Sequence, residues 1–451
     1  MSDKILKVGY AKVNINPPMG IDVTGYYKVR KADGILDDLE IVATAFNQNG
    51  KTILIIAIDN CGIKKEVIDE FKEKITERTG VPAQAIYIHV THTHTGPRVV
   101  PVAEDQFQAD YKTLLFSRIA DAAQFAIEDL KPAKMGYGVG EAKKVAFIRR
   151  YKMKDGTTKT NPGVNNPDIV APAGELDESV NVVRFDREGA ETVVLVNFAN
   201  HPDVVGGNKI SSDWPGLTRR FVEKAIDNTK CIFLNGAQGD VNHVNVHPTK
   251  GDFNDMFNDF DGCSRGYGHA RHIARVVTGA VLSVYDKVEY VDVDDIKYSL
   301  TYVQVPVNKA DPKDLPLAHK YTDLHLAGRD DEIPFEAMML TTVVGEAMRM
   351  VSLENEPDFY DLPFGAVAIG KVALFGIPGE PFNAVGKGIK EAKGWDLVIP
   401  TCLTNGSEGY YPMQDSYDEG GYEARTSTFK AGTAEKIVIE GIKILDQLKN
   451  N

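Results

Sequence analysis

Five apolar runs in this chain each stop at a chemically reactive side chain. The run AIYIHV, residues 85–90, leads into His92 and His94, and TVVLVNFAN, residues 192–200, into His201. CIFLNGAQ leads to Asp240, VALFGIP to Glu380, and LVIPTCL to Asn405 and Tyr410. In α/β sheets, ligands settle at the carboxyl ends of strands, where loops diverge and leave a crevice. The pattern therefore predicts buried strands whose ends converge on one site.

The remaining chain supplies the other layers. Residues 41–46 and 52–58 are apolar runs joined across Asn49-Gly50, the strongest short hairpin signal. Residues 64–79 place Val67, Ile68, Phe71 and Ile75 at helical spacing, with Gly80 as a C-cap. Residues 111–130, 217–225, 269–285, 315–327, 335–353 and 433–448 read as further helices, and 180–185 with 192–198 as a hairpin. Strands and helices intermingle along the whole length without repeats or linkers. The expected class is α/β (mixed α+β), a large mixed β-sheet core flanked by helices, in one domain over residues 1–451.

Charge and cysteine usage narrow the partners. The 64 acidic residues exceed the 51 basic ones, and no basic run interrupts the formal charge of -13. Nucleic acid is disfavoured, because its binding needs clustered cations. Cys61, Cys231, Cys263 and Cys402 form no CxxC pair, which argues against thiolate zinc sites and a disulfide framework. No stretch approaches the roughly 18 apolar residues of a membrane span, and the N-terminus lacks the apolar segment of a signal peptide. A cytoplasmic protein acting on a small molecule is expected, without stable membrane insertion.

The segment THTHTGP, residues 91–97, is the most specific motif. Side chains alternate along a strand, so His92 and His94 are expected to project from one side as neighbours. One imidazole suits a metal, the other a proton at a bound water; the plain alternative is a solvated loop. Two histidines, a glutamate and a phenol are a hard-to-borderline donor set suited to zinc.

These residues resemble the neutral ceramidases and their bacterial relatives, zinc-dependent amidases. THTHTGP resembles the family's HTHSGP signature, with Thr95 at the serine position, and GAQGDVNHVN its GDxxPN segment. ISSDWPG resembles SGDxxG, and PGEPF the glutamate ligand loop. Asn405, Tyr410 and Tyr422-Glu423 follow the register of the family's NxYxxY and YE elements, with Ser407 in place of the first tyrosine. The resemblance implies that His92, His201, Glu380 and Tyr410 bind Zn2+ and that His94 takes and gives protons. It implies that Tyr422 and Arg149 polarise the substrate carbonyl; the context Ile148-Arg149-Arg150 leaves Arg150 as an alternative. The matched stretches span about Gly9 to Glu423, so the resemblance leads us to expect a catalytic domain without the family's C-terminal immunoglobulin-like domain.

The expected activity is a zinc-dependent hydrolase that cleaves an N-acyl amide bond of a soluble, ceramide-unlike compound. The alternatives are a zinc hydrolase of an ester or sugar-derived substrate, and a non-catalytic metal-dependent binding protein. Asp240 and Asp213 are expected to hold imidazoles in one tautomer. His269 and His272 read as an exposed helix start, His243 and His247 as pocket-lining or solvated, and His89 as facing the other side of the sheet.

Overall fold

The computed structural model describes residues 4–249 and 266–450; Cys263 lies outside them. The principal sheet has nine strands. Eight lie in line: β1 (Lys7–Asn14), β2 (Glu40–Gln48), β3 (Lys51–Ile58), β4 (Ile86–Val90), β5 (Lys131–Glu141), β6 (Ser179–Arg187), β7 (Thr192–Phe198) and β8 (Thr229–Asn235). Their spatial order is β8-β7-β6-β5-β1-β2-β3-β4, and Glu289–Val291 pairs with β5. A second sheet runs β9 (Ile296–Pro306), β10 (Phe359–Ile369), β11 (Val372–Gly376) and β12 (Leu397–Thr401).

Within these two sheets most neighbours are antiparallel, but three pairs are parallel: β3 with β4, β7 with β8, and β11 with β12. A parallel pair needs a crossover, which a helix ordinarily provides. Here the crossovers carry α1 (Lys65–Thr79), α3 (Asp213–Ala225) and α7 (Asn383–Lys390). The strands entering these units are the apolar runs of the sequence, and their carboxyl ends are the ends that matter below.

Those runs are continuous rather than alternating because both faces of each strand are covered. The two sheets pack face to face: Ile53, Ile55, Val193, Leu195 and Ile232 of the first meet Leu374 and Ile399 of the second. On the outer face of the first sheet, α1 and α2 (Gln106–Glu128) cover Leu54, Ile56 and Ile88, while α3 and α4 (Tyr267–Tyr285) cover Val194, Val196 and Phe233. α7 and α8 (Thr433–Asn450) cover Ala373 and Phe375 of the second sheet. α5 (Leu315–Leu326) and α6 (Ala337–Ser352) form a small cluster of their own around Leu324, Ile333, Val343 and Val344.

The local signals hold where backbone geometry is decisive. Asn49 and Gly50 both take positive φ, 52° and 75°, between β2 and β3, as a tight hairpin with right-handed strand twist requires. Gly80 ends α1 at φ 75°, its N–H donating to Thr76. α2 starts five residues earlier than its apolar periodicity suggests, because Asp105 accepts from the Gln108 N–H as an N-cap.

Candidate active site and metal centre

The carboxyl ends of the three parallel pairs bring together groups far apart in sequence. His92 follows β4, His201 follows β7, Glu380 follows β11, and Tyr410 lies beyond β12. His92 Nε2 is 3.1 Å from His201 Nε2 and 3.2 Å from Glu380 Oε2, and His201 Nε2 is 3.8 Å from Glu380 Oε2. Glu380–Pro381 and Tyr410–Tyr411 form a two-residue parallel ladder in which Glu380 is paired with Tyr410.

His92 and His94 meet, though not by strand alternation. β4 ends at Val90, and His92 sits at φ 78° in the left-handed region, so the chain turns between the two rings. Their Nε2 atoms are nevertheless 3.2 Å apart. His92 Nδ1 donates to the Cys61 carbonyl, which leaves Nε2 with its lone pair facing the cluster. That carbonyl belongs to the loop after β3, so a second strand end fixes the tautomer.

This donor set fits a metal. A tetrahedral zinc with bonds of about 2.0–2.2 Å separates its ligand atoms by roughly 3.3–3.5 Å. The observed separations of 3.1, 3.2 and 3.8 Å straddle that range. His92, His201 and Glu380 form one compact group of candidate ligands. In their neutral forms His92 and His201 turn nitrogen toward the Glu380 carboxylate in a buried cluster, an arrangement that a cation satisfies.

The electrostatics follow from burial. Burial opposes a charge on His92, but Glu380 and Cys61 outweigh it and hold the imidazole well above its ordinary range. Burial, Arg149 and the other two histidines push His201 well below it. Burial opposes ionisation of Glu380, yet His92, Arg149 and His94 together hold its carboxyl below the usual value. Burial raises Tyr410 and Tyr422 well above the ordinary phenol range, so both are hydroxyls in the protein alone.

A cavity of about 360 Å³ opens over this cluster. His94, His201, Arg149, Tyr410 and Tyr422 line it on the side of the cluster; Lys28, Asp203, His325 and Asp330 contribute polar wall, and Met338, Leu340 and Val344 of α6 an apolar one. The Tyr410 and Tyr422 rings meet edge-on at 5.8 Å, and the Arg149 guanidinium lies 5.6 Å from the Tyr410 ring centre.

The structure separates the two arginines. Arg149 lines the cavity, with Nε donating to Glu423 at 2.7 Å and Nη2 to the Gly239 carbonyl at 2.7 Å. Glu423 is fully buried and also accepts from Thr160 Oγ1 at 2.7 Å. Arg150 turns away, donating to Ser416, Glu419 and the Gly420 carbonyl.

Several expected supporting roles differ. Asp240 and Asp213 hold backbone rather than imidazoles: Asp240 accepts from the Asn383 N–H, Asp213 from those of Val204, Val205 and Trp214. Each orders the chain just beyond a strand that ends in a candidate ligand. His269 is buried, 2% exposed, with its ring edge-on to that of buried His243, so it is not an exposed helix start. His272 is half-buried and His247 exposed. His89 is fully buried, donating from Nδ1 to the Cys402 carbonyl and accepting the Asn235 N–H at Nε2; it joins the two sheets.

The sequence motifs did not point to Asp203, Tyr26 or Tyr27. Asp203 Oδ1 lies 3.5 Å from His94 Nδ1 and accepts from the Tyr26 hydroxyl. Asp203 falls two residues after His201, a spacing that carried the only available hint.

No protein-family model and no curated protein sequence matches this chain. Among the solved structures that share its fold are two ceramidases. A neutral ceramidase from Pseudomonas aeruginosa aligns with a TM-score of 0.73 at 17% identity, covering 99% of this chain and 75% of that one. A ceramidase complexed with C2 aligns with a TM-score of 0.70 at 17% identity, covering 99% and 76%. The chain therefore has the mixed α/β fold of the neutral ceramidases, as its motifs led us to expect.

Proposed function

We propose that this protein is a zinc-dependent hydrolase that cleaves an N-acyl amide bond in a compact, soluble substrate. The observation that carries the reading is the convergence of His92 Nε2, His201 Nε2 and Glu380 Oε2 within 3.8 Å, beside a cavity that His201 lines. His92, His201, Glu380 and Tyr410 would hold the metal. When bound, zinc supplies Lewis acidity and makes hydroxide available near neutral pH.

The chain's own residues do the rest. His94 lines the cavity with Nε2 beside the ligand cluster and Nδ1 facing Asp203. It takes the proton released by the attacking water and delivers it to the departing amine, a poor leaving group unless protonated. Arg149 and Tyr422 donate to the carbonyl oxygen as it becomes anionic, where preorganised charge contributes most. His201 and Tyr410 line the cavity, so a substrate placed there would meet the metal cluster directly, which favours a hydrolase over the binding-protein alternative. Lys28, Asp203, His325 and Asp330 would be desolvated by a long alkyl chain, which supports a compact polar substrate.

The test pairs elemental analysis with a panel of N-acyl amides, esters and glycosides. The reading predicts one zinc per chain and turnover of an amide that stops on chelation. Protein without bound divalent metal, or cleavage confined to esters or glycosides, overturns it.

A further inference from the structure

One loop, residues 24–30, reaches both groups assigned to acid-base and carbonyl chemistry. Arg30 anchors it, donating to the carbonyls of Gly207 and Thr24 and, at 2.7 Å, to that of His94. Tyr26 packs edge-on to the His94 ring at 5.6 Å. Tyr27 reaches the opposite way, its hydroxyl 3.1 Å from the Tyr422 hydroxyl.

Tyr27 is held from several sides. Its carbonyl accepts from His325 Nε2 at 3.2 Å, and its ring edges that of His325 at 6.4 Å. The ring packs into the cluster of Leu324, Val343 and Val344. On α6, Gly345 faces the phenol: a Cβ there would lie 2.4 Å from the Tyr27 hydroxyl oxygen. Glycine inside a helix is unfavourable relative to alanine, and here its missing side chain provides the seat.

Two facing hydroxyls share one hydrogen bond, and either can donate. Once a substrate oxygen enters the cavity, Tyr422 has a better acceptor in front of it. Tyr27 then becomes the donor behind it, and hydroxyls in a chain polarise one another. We propose that Tyr27 is a positioning residue that donates to the Tyr422 oxygen and so aims the Tyr422 hydrogen at the substrate carbonyl. The inference rests on Tyr422 polarising that carbonyl, as assigned above.

The test is a double-mutant cycle on the zinc-loaded protein, with kcat and KM measured for wild type, Y27F, Y422F and the double variant on any substrate the wild type cleaves. Phenylalanine keeps the ring in its seat and removes only the hydroxyl. We expect Y27F to lower kcat about tenfold with KM within about twofold, and to add nothing in the Y422F background. G345A, which crowds the same hydroxyl, should reproduce the loss. A Y27F effect of equal size in both backgrounds, one confined to KM, or none at all overturns the inference while the hydrolase reading stands. A wild type that cleaves nothing overturns both.

Discussion

Glu380 and Tyr410 are register partners in a parallel ladder two residues long, so one carboxylate and one phenol are fixed side by side by backbone hydrogen bonding. The Glu380 N–H donates to the Gly409 carbonyl at 2.9 Å, and Gly239 N–H donates to the Pro381 carbonyl at 2.8 Å. A Cβ on Gly239 would lie 2.5 Å from the Glu380 carbonyl oxygen. G239A should therefore shift the ladder without removing a ligand, weakening zinc affinity roughly ten- to a hundredfold, the range for outer supports of metal ligands. Competition with a chelating dye measures it; unchanged affinity would show that the ladder does not set the site.

The arginine pair makes a separate prediction. Arg149 lines the cavity and Arg150 does not. R149A should lower kcat by about a hundred- to a thousandfold, the cost of losing a donor to a developing oxyanion. R150A should act on stability, because Ser416, Glu419 and Gly420 lose their shared partner. Turnover and a urea midpoint on both variants decide it; the reverse pattern would reassign the roles.

A third prediction concerns stability and pH. Lys72 on α1 is 2% exposed, and its ammonium finds no hydrogen-bond partner among the described residues. Burial lowers its pKa from 10.5 to about 8. Between about 8 and 10.5 the unfolded chain holds the proton and the folded chain does not, so this group makes stability climb with pH across that window. K72M should stabilise the fold by on the order of 1–3 kcal/mol at pH 7. The gain should shrink above pH 8. Urea midpoints between pH 7 and 10 check it, and a gain that grows with pH would contradict the assignment.

Much of this molecule is legible in its sequence because its chemistry stands at the ends of doubly buried strands. Covering both faces makes β4, β7 and β11 continuous apolar runs, so His92, His201 and Glu380 stand out as the polar groups beyond them. The Asn49-Gly50 hairpin and the Gly80 cap are legible because few residues tolerate positive φ. What the sequence does not display lies in loops without periodicity. The left-handed turn at His92, the backbone partners of Asp213 and Asp240, and the reach of Tyr26 and Tyr27 depend on contacts between segments remote in sequence. His269 reads as exposed because a helix start shows nothing of the His243 ring packed against it.

The proposed hydrolase requires positions 92, 201, 380 and 410 to meet at one divalent ion. Zinc titration of metal-stripped protein by calorimetry, for wild type and H201A, tests this most directly. One tightly bound zinc per chain in the wild type, abolished in a folded H201A, is the predicted result. Equal zinc binding by both proteins, or none by the wild type, would contradict it.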